Sequence, residues 1–86
     1  MGMDMTIQVG KERMSGKGEE IVKQMASLVK TREFENTDDY IEWVSQGLWR
    51  LERIGIQVIG ETPAERAYSL LDALNRSGKI RIINTD

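Results

Sequence analysis

The sequence predicts a small α+β domain with the element order β-α-α-β-α-β. Three observations lead there. Apolar residues alternate at the N-terminus, three later segments repeat them at helical spacing, and the last third reads as strand, capped helix, strand. A chain of 86 residues with 40% hydrophobic content supports one core, so residues 1–86 are expected to form a single domain.

The first element rests on Met3, Met5, Ile7 and Val9 alternating with Asp4, Thr6 and Gln8, the period of a half-buried strand. Residues 1–4 are themselves expected to include disordered or vector-derived sequence, and Met1-Gly2 is read as a start region rather than a myristoylation signal. Gly10 to Gly18 has three glycines among polar and basic residues and is expected to be a loop. Gly16-Lys17-Gly18 in it invites a phosphate-loop reading. Its spacing from Gly10 is one residue too long, and Gly18 stands where a magnesium-binding hydroxyl is needed.

From Glu19 the period changes. Ile21, Val22, Met25, Leu28 and Val29 fall on one helical face, with Glu19 and Glu20 in the first turn and Lys30 and Arg32 expected in the last. A second helix is expected from a cap at Asn36 or Thr37 to a stop at Gly55. Its stripe is Ile41, Val44, Leu48 and Leu51, with Tyr40, Gly47, Trp43 and Trp49 beside it. That apolar arc is wider than one packing partner requires. Ile56 to Ile59 reads as a short strand. Thr62-Pro63-Ala64-Glu65 is a capping box with proline at the first helical position, opening a helix whose face is Ala67, Leu70, Leu71 and Leu74. After Ser77-Gly78, Lys79 to Asn84 reads as the last strand. A strand–helix–strand run of this kind predicts that the two C-terminal strands are parallel neighbours.

Composition narrows the chemistry. Histidine and cysteine are both zero, which removes imidazole acid–base catalysis, thiolate nucleophiles, disulfides and Cys/His zinc sites. Asp38, Asp39 and Glu42 could share a hard cation, but acids in a first helical turn are ordinary partners of the helix dipole. No arrangement of the remaining carboxylates, lysines and tyrosines matches a catalytic constellation, so no enzymatic activity and no cofactor or metal are expected. A net charge of −2 gives no basic coat. The sequence has neither a long apolar span nor a basic leader, so a cytoplasmic protein without membrane contact is expected.

Glu33-Phe34-Glu35-Asn36-Thr37-Asp38-Asp39-Tyr40-Ile41 resembles the turn and second-helix start of ribbon-helix-helix proteins and related antitoxins. The resemblance covers residues 5–54 at most. It implies a strand pairing between two chains and entering the DNA major groove. Thr6 and Gln8 would then be base readers, and the nearby Lys11, Arg13 and Lys17 would be the cations that reach the backbone.

The leading expectation is a small non-enzymatic binding or regulatory protein that acts through a protein surface as a homodimer. An accessory or inhibitor protein of a phage or mobile element is one such class. The expected partner-binding residues are Tyr40, Trp43, Gly47 and Trp49, since tryptophan and tyrosine are favoured anchors and glycine permits close approach. The alternative is a ribbon-helix-helix-like DNA-binding regulator or antitoxin.

Overall fold

A computed structural model describes residues 4–85 of the chain. The expectations about the start of the chain at Met1 to Met3 lie outside the described residues. The element order is β1 (Asp4–Val9), β2 (Glu12–Lys17), α1 (Gly18–Ser27), α2 (Thr37–Glu52), α3 (Pro63–Arg76) and β3 (Arg81–Thr85). The fold is α+β, but the order is β-β-α-α-α-β rather than the one expected.

The first correction is β2. The segment expected to be a loop pairs antiparallel with β1, from Asp4 opposite Lys17 to Val9 opposite Glu12. Gly10 and Lys11 form the turn. Gly10 has a φ of 61°, the left-handed conformation that a two-residue hairpin wants at its first position. β2 carries little apolar signal because it is an edge strand with only Met14 buried. The phosphate-loop reading ends here, since these residues are committed to a ladder.

The second correction concerns the C-terminus. Residues 56–59 form no strand and lie outside the sheet, with Ile56 and Val58 half-buried against the core and Gln57 and Ile59 exposed. β3 pairs antiparallel with β1, giving the sheet order β2-β1-β3. The strands are therefore not parallel neighbours. Thr6 opposes Asn84 and Ile7 opposes Ile82, so Ile83 is the extra residue of a bulge.

Helix ends also move. α1 stops at Ser27, leaving Lys30 and Arg32 in the following loop and Leu28 exposed. α2 is capped by Asn36, whose Oδ1 accepts the Asp39 N–H at 2.9 Å. It ends at Arg53, which adopts the left-handed conformation at a φ of 58°, two residues before Gly55. α3 begins as expected. The Thr62 hydroxyl accepts the Glu65 N–H at 3.2 Å, and the Glu65 carboxylate accepts the N–H of Glu61, one residue ahead of the cap, at 3.2 Å.

One face of the sheet supplies Met5, Ile7 and Met14 to the core. They meet Ile21, Val22 and Met25 of α1 and Ala67, Leu70, Leu71 and Leu74 of α3. α2 packs on α3 and α1 rather than on the sheet, through Tyr40, Ile41 and Leu48. Asp38 of α2 and Arg66 of α3 pin the two helices by a two-pronged ion pair of 2.7 and 2.9 Å. That carboxylate holds the Arg66 guanidinium more firmly protonated than usual, first through the hydrogen bond.

Candidate functional site

Two surfaces gather the residues with recognition chemistry. The first is α2. Its buried positions are Thr37, Tyr40, Ile41 and Leu48, so its packed face ends at Leu48. The last turn overhangs the core. Leu51, on the same stripe as Leu48, is 83% exposed, and its place in the buried stripe is a correction. Trp43 and Trp49 are 39% and 56% exposed. At the helical spacing both fall to the sides of the face formed by Thr37, Tyr40, Ile41 and Leu48.

Trp43 is nonetheless held in place. Its ring lies 5.4 Å from that of Phe34 and 6.0 Å from that of Tyr40, and Phe34 meets Tyr40 edge-on at 5.1 Å. Arg32 covers the Phe34 ring at 5.1 Å and bonds Asp39 at 3.0 Å, which fixes the loop before α2. Burial pushes the Tyr40 hydroxyl pKa up. Trp43, Gly47 and Leu51 follow one another at four-residue steps, which puts them in one row along the helix. A Cβ built at Gly47 would meet nothing within 4 Å, so the row has a small residue at its centre and a large apolar residue on each side. Trp49 lies on another face, under the Arg53 guanidinium at 5.7 Å from its ring. Of the expected partner residues, Trp43 and Gly47 share this row, Tyr40 supports it from the core, and Trp49 stands apart. The sequence pattern does not mark Leu51 or Phe34 as part of a surface. Leu51 continues an apolar stripe without a break, and Phe34 precedes the cap with no periodic signal.

The second surface is the open face of the sheet. Strand alternation turns Thr6 and Gln8 of β1 away from the core, and their register partners are Ser15 and Arg13 of β2 and Asn84 and Arg81 of β3. Asp4 and its partner Lys17 complete the face, and Lys11 sits exposed in the hairpin turn. Thr6 and Ser15 share a hydrogen bond of 3.0 Å between hydroxyls, and the Gln8 amide donates to the Gly10 carbonyl at 3.0 Å. A shallow cleft of about 300 Å³ is lined by Asp4, Met5, Thr6, Ser15, Gly16 and Asn84. The structure thus brings Thr6, Gln8, Arg13 and Lys17 onto one face with Lys11 at its end. Arg81 and Asn84 join them through an antiparallel pairing that the sequence does not foretell. β1 is the central strand with both edges occupied, so a ribbon shared between two chains would have to use an outer strand.

The acidic cluster is engaged elsewhere. Asp38 is bound to Arg66, Asp39 to Arg32, and Glu42 accepts from Gln46 at 3.2 Å. Among the described residues no group of three or more His, Cys, Asp or Glu side chains is placed to hold a metal ion. A concavity of about 610 Å³ beside the end of α1 is lined by Val22, Ala26, Val29 and Phe34 together with charged residues that include Lys23 and Arg32. Among the described residues no helix is long and apolar enough to cross a membrane. Compared with protein-family models, with curated proteins and with solved structures, the chain matches none.

Proposed function

We propose that this chain is a non-enzymatic binding module that docks a protein through the outer row of α2, in an accessory, regulatory or inhibitory role. The observation that carries this reading is Trp43, exposed yet fixed by Phe34 and Tyr40, beside an open Gly47 and a fully presented Leu51. A pre-ordered aromatic anchor loses little side-chain entropy on binding, which is what favours tryptophan at the centre of interfaces. The test is capture from a lysate of the source organism with two baits, wild type and Trp43→Ala/Leu51→Lys. Proteins retained by the first and lost from the second support the reading, and identical sets for both baits refute it.

The sheet face supports a second reading, duplex nucleic acid. Arg13, Lys17 and Arg81 stand on it with Asp4 as the opposing carboxylate, around the hydrogen-bonding groups of Thr6, Gln8, Ser15 and Asn84. Phosphate contact would make such binding fall steeply with salt. Selection from random duplexes at low and physiological salt decides it. One enriched site lost on Thr6→Ala/Gln8→Ala favours this reading, and no enrichment at either salt removes it.

A further inference from the structure

We infer that the outer edge of β2 takes up an extended acidic segment of a protein partner as a fourth strand. The inference goes beyond the α2 docking reading, since it concerns a different surface with a different chemistry.

The fold leaves this edge open. The two-residue turn makes Val9 and Glu12 the closing hydrogen-bonded pair, and bonding alternates along the strand from there. Glu12, Met14 and Gly16 therefore spend their backbone groups on β1. The N–H and C=O groups of Arg13 and Ser15 and the N–H of Lys17 point away from the sheet. Among the described residues their one partner is the Gln24 amide, which donates to the Ser15 carbonyl at a long 3.4 Å. The opposite edge is closed. There the outward N–H of Ile82 donates to Asn75 Oδ1 at 3.0 Å, and the bulge at Ile83 interrupts the ladder.

Charge selects the occupant. Arg13, Ser15 and Lys17 are exposed on the open face of the sheet, with Lys11 exposed in the turn. The three cations form no ion pair among the described residues, in a chain whose net charge is −2. A second copy does not fit. Two β2 edges paired antiparallel about Ser15 would set each Arg13 opposite the second copy's Lys17, and like charges directly opposite repel. Carboxylates at those two positions of an incoming strand are attracted instead. The other face has the reverse sign. Glu12 stands on it, and the Glu20 carboxylate lies 2.9 Å from where a Cβ at Gly16 would be. The alternate side chains of the incoming strand, which turn to that face, must therefore be uncharged. The segment that fits has two acids four residues apart, with uncharged residues between them.

The test is fluorescence anisotropy of the full chain with a labelled peptide containing Glu-Val-Thr-Val-Glu. It is compared with the same peptide carrying Lys for Glu, and with one N-methylated at its central Thr, opposite Ser15. We expect the acidic peptide to bind and to protect the Arg13 and Ser15 amides from hydrogen exchange. The Lys peptide and the N-methylated peptide should lose that binding. Arg13→Glu/Lys17→Glu, checked for folding by circular dichroism, should weaken the acidic peptide about tenfold or more and gain affinity for the Lys peptide. Should that variant not fold, the N-methylated peptide on wild type decides. No binding up to about 1 mM, or binding indifferent to N-methylation or to charge reversal, overturns the inference. A random-sequence duplex is the third probe. Binding of the duplex but not of the peptide also overturns it, and leaves Arg13 and Lys17 to the nucleic-acid reading. Capture through Trp43 and Leu51 bears on α2 alone, so the two proposals fail separately.

Discussion

Gly60→Ala and Gly47→Ala make the same chemical change and should move stability in opposite directions. Gly60 has a φ of 141°, a conformation almost confined to glycine. A Cβ there would stand 2.7 Å from the Glu65 Cβ and 2.9 Å from the Arg66 backbone nitrogen. Those atoms belong to the first turn of α3, which is locked by the Thr62 cap and cannot retreat. The Gly60 carbonyl also accepts from Arg66 at 3.3 Å, so displacing it disturbs the residue that joins α3 to α2. Strain at such a backbone costs about 1–3 kcal/mol. Overpacking adds about 1–3 kcal/mol. A loss of roughly 3 kcal/mol follows, equivalent to a fall in Tm of roughly 12–24 °C for a domain of this size. Gly47 lies inside α2, its φ is not positive, and nothing occupies the space its Cβ would take. Helix propensity alone then decides, and alanine should stabilise by about 0.8–1 kcal/mol. Urea denaturation followed by circular dichroism measures both. A Gly60→Ala variant within about 1 kcal/mol of wild type would refute the steric argument.

Thr62→Ala should cost about 1 kcal/mol through loss of the cap and leave the captured proteins unchanged, so lost capture at intact stability would contradict a purely structural role for α3. Leu70→Ala, at a fully buried site, should cost about 2–5 kcal/mol, whereas Leu51→Ala should stay within about 0.5 kcal/mol in the same denaturation assay. Equal costs would mean that Leu51 is covered in the folded chain. Burial raises the Tyr40 pKa, so the fold favours the neutral phenol. Its contribution is whole below the ordinary tyrosine value of about 10 and declines as pH rises past it toward the raised folded value. Tyr40→Phe should flatten that alkaline decline in stability, and an unchanged profile would assign the decline to other groups.

The helices are largely legible in the sequence, because each announces itself locally. Asn36 and Thr62 cap through hydrogen bonds within four residues, and Ala67, Leu70, Leu71 and Leu74 repeat at the period of one buried face. Of the candidate surfaces, the residues are legible but their grouping is not. Trp43 and Gly47 share a row that helical spacing allows one to read. That Trp43 is exposed depends on how little of α2 the rest of the chain covers. Thr6 and Gln8 alternate visibly, yet the arginines beside them come from strands at opposite ends of the chain.

The class of the fold, the single core, the start of each helix and the absence of histidine and cysteine chemistry all follow from the residues alone. Composition and contacts between near neighbours are enough to fix them. Packing in three dimensions was needed to make the glycine-rich segment a strand and to bring β3, not residues 56–59, into the sheet. A strand with one buried apolar residue is held by the ladder of its neighbour, and that neighbour is not visible in its own residues. Pairing partner and direction are likewise set by where α3 delivers the chain, and Ile56 to Ile59 has the same β-type composition as the segment that does pair. The fate of Leu51 was decided in the same way: its periodicity marks it for a core, and the packing of α2 stops one turn short of it.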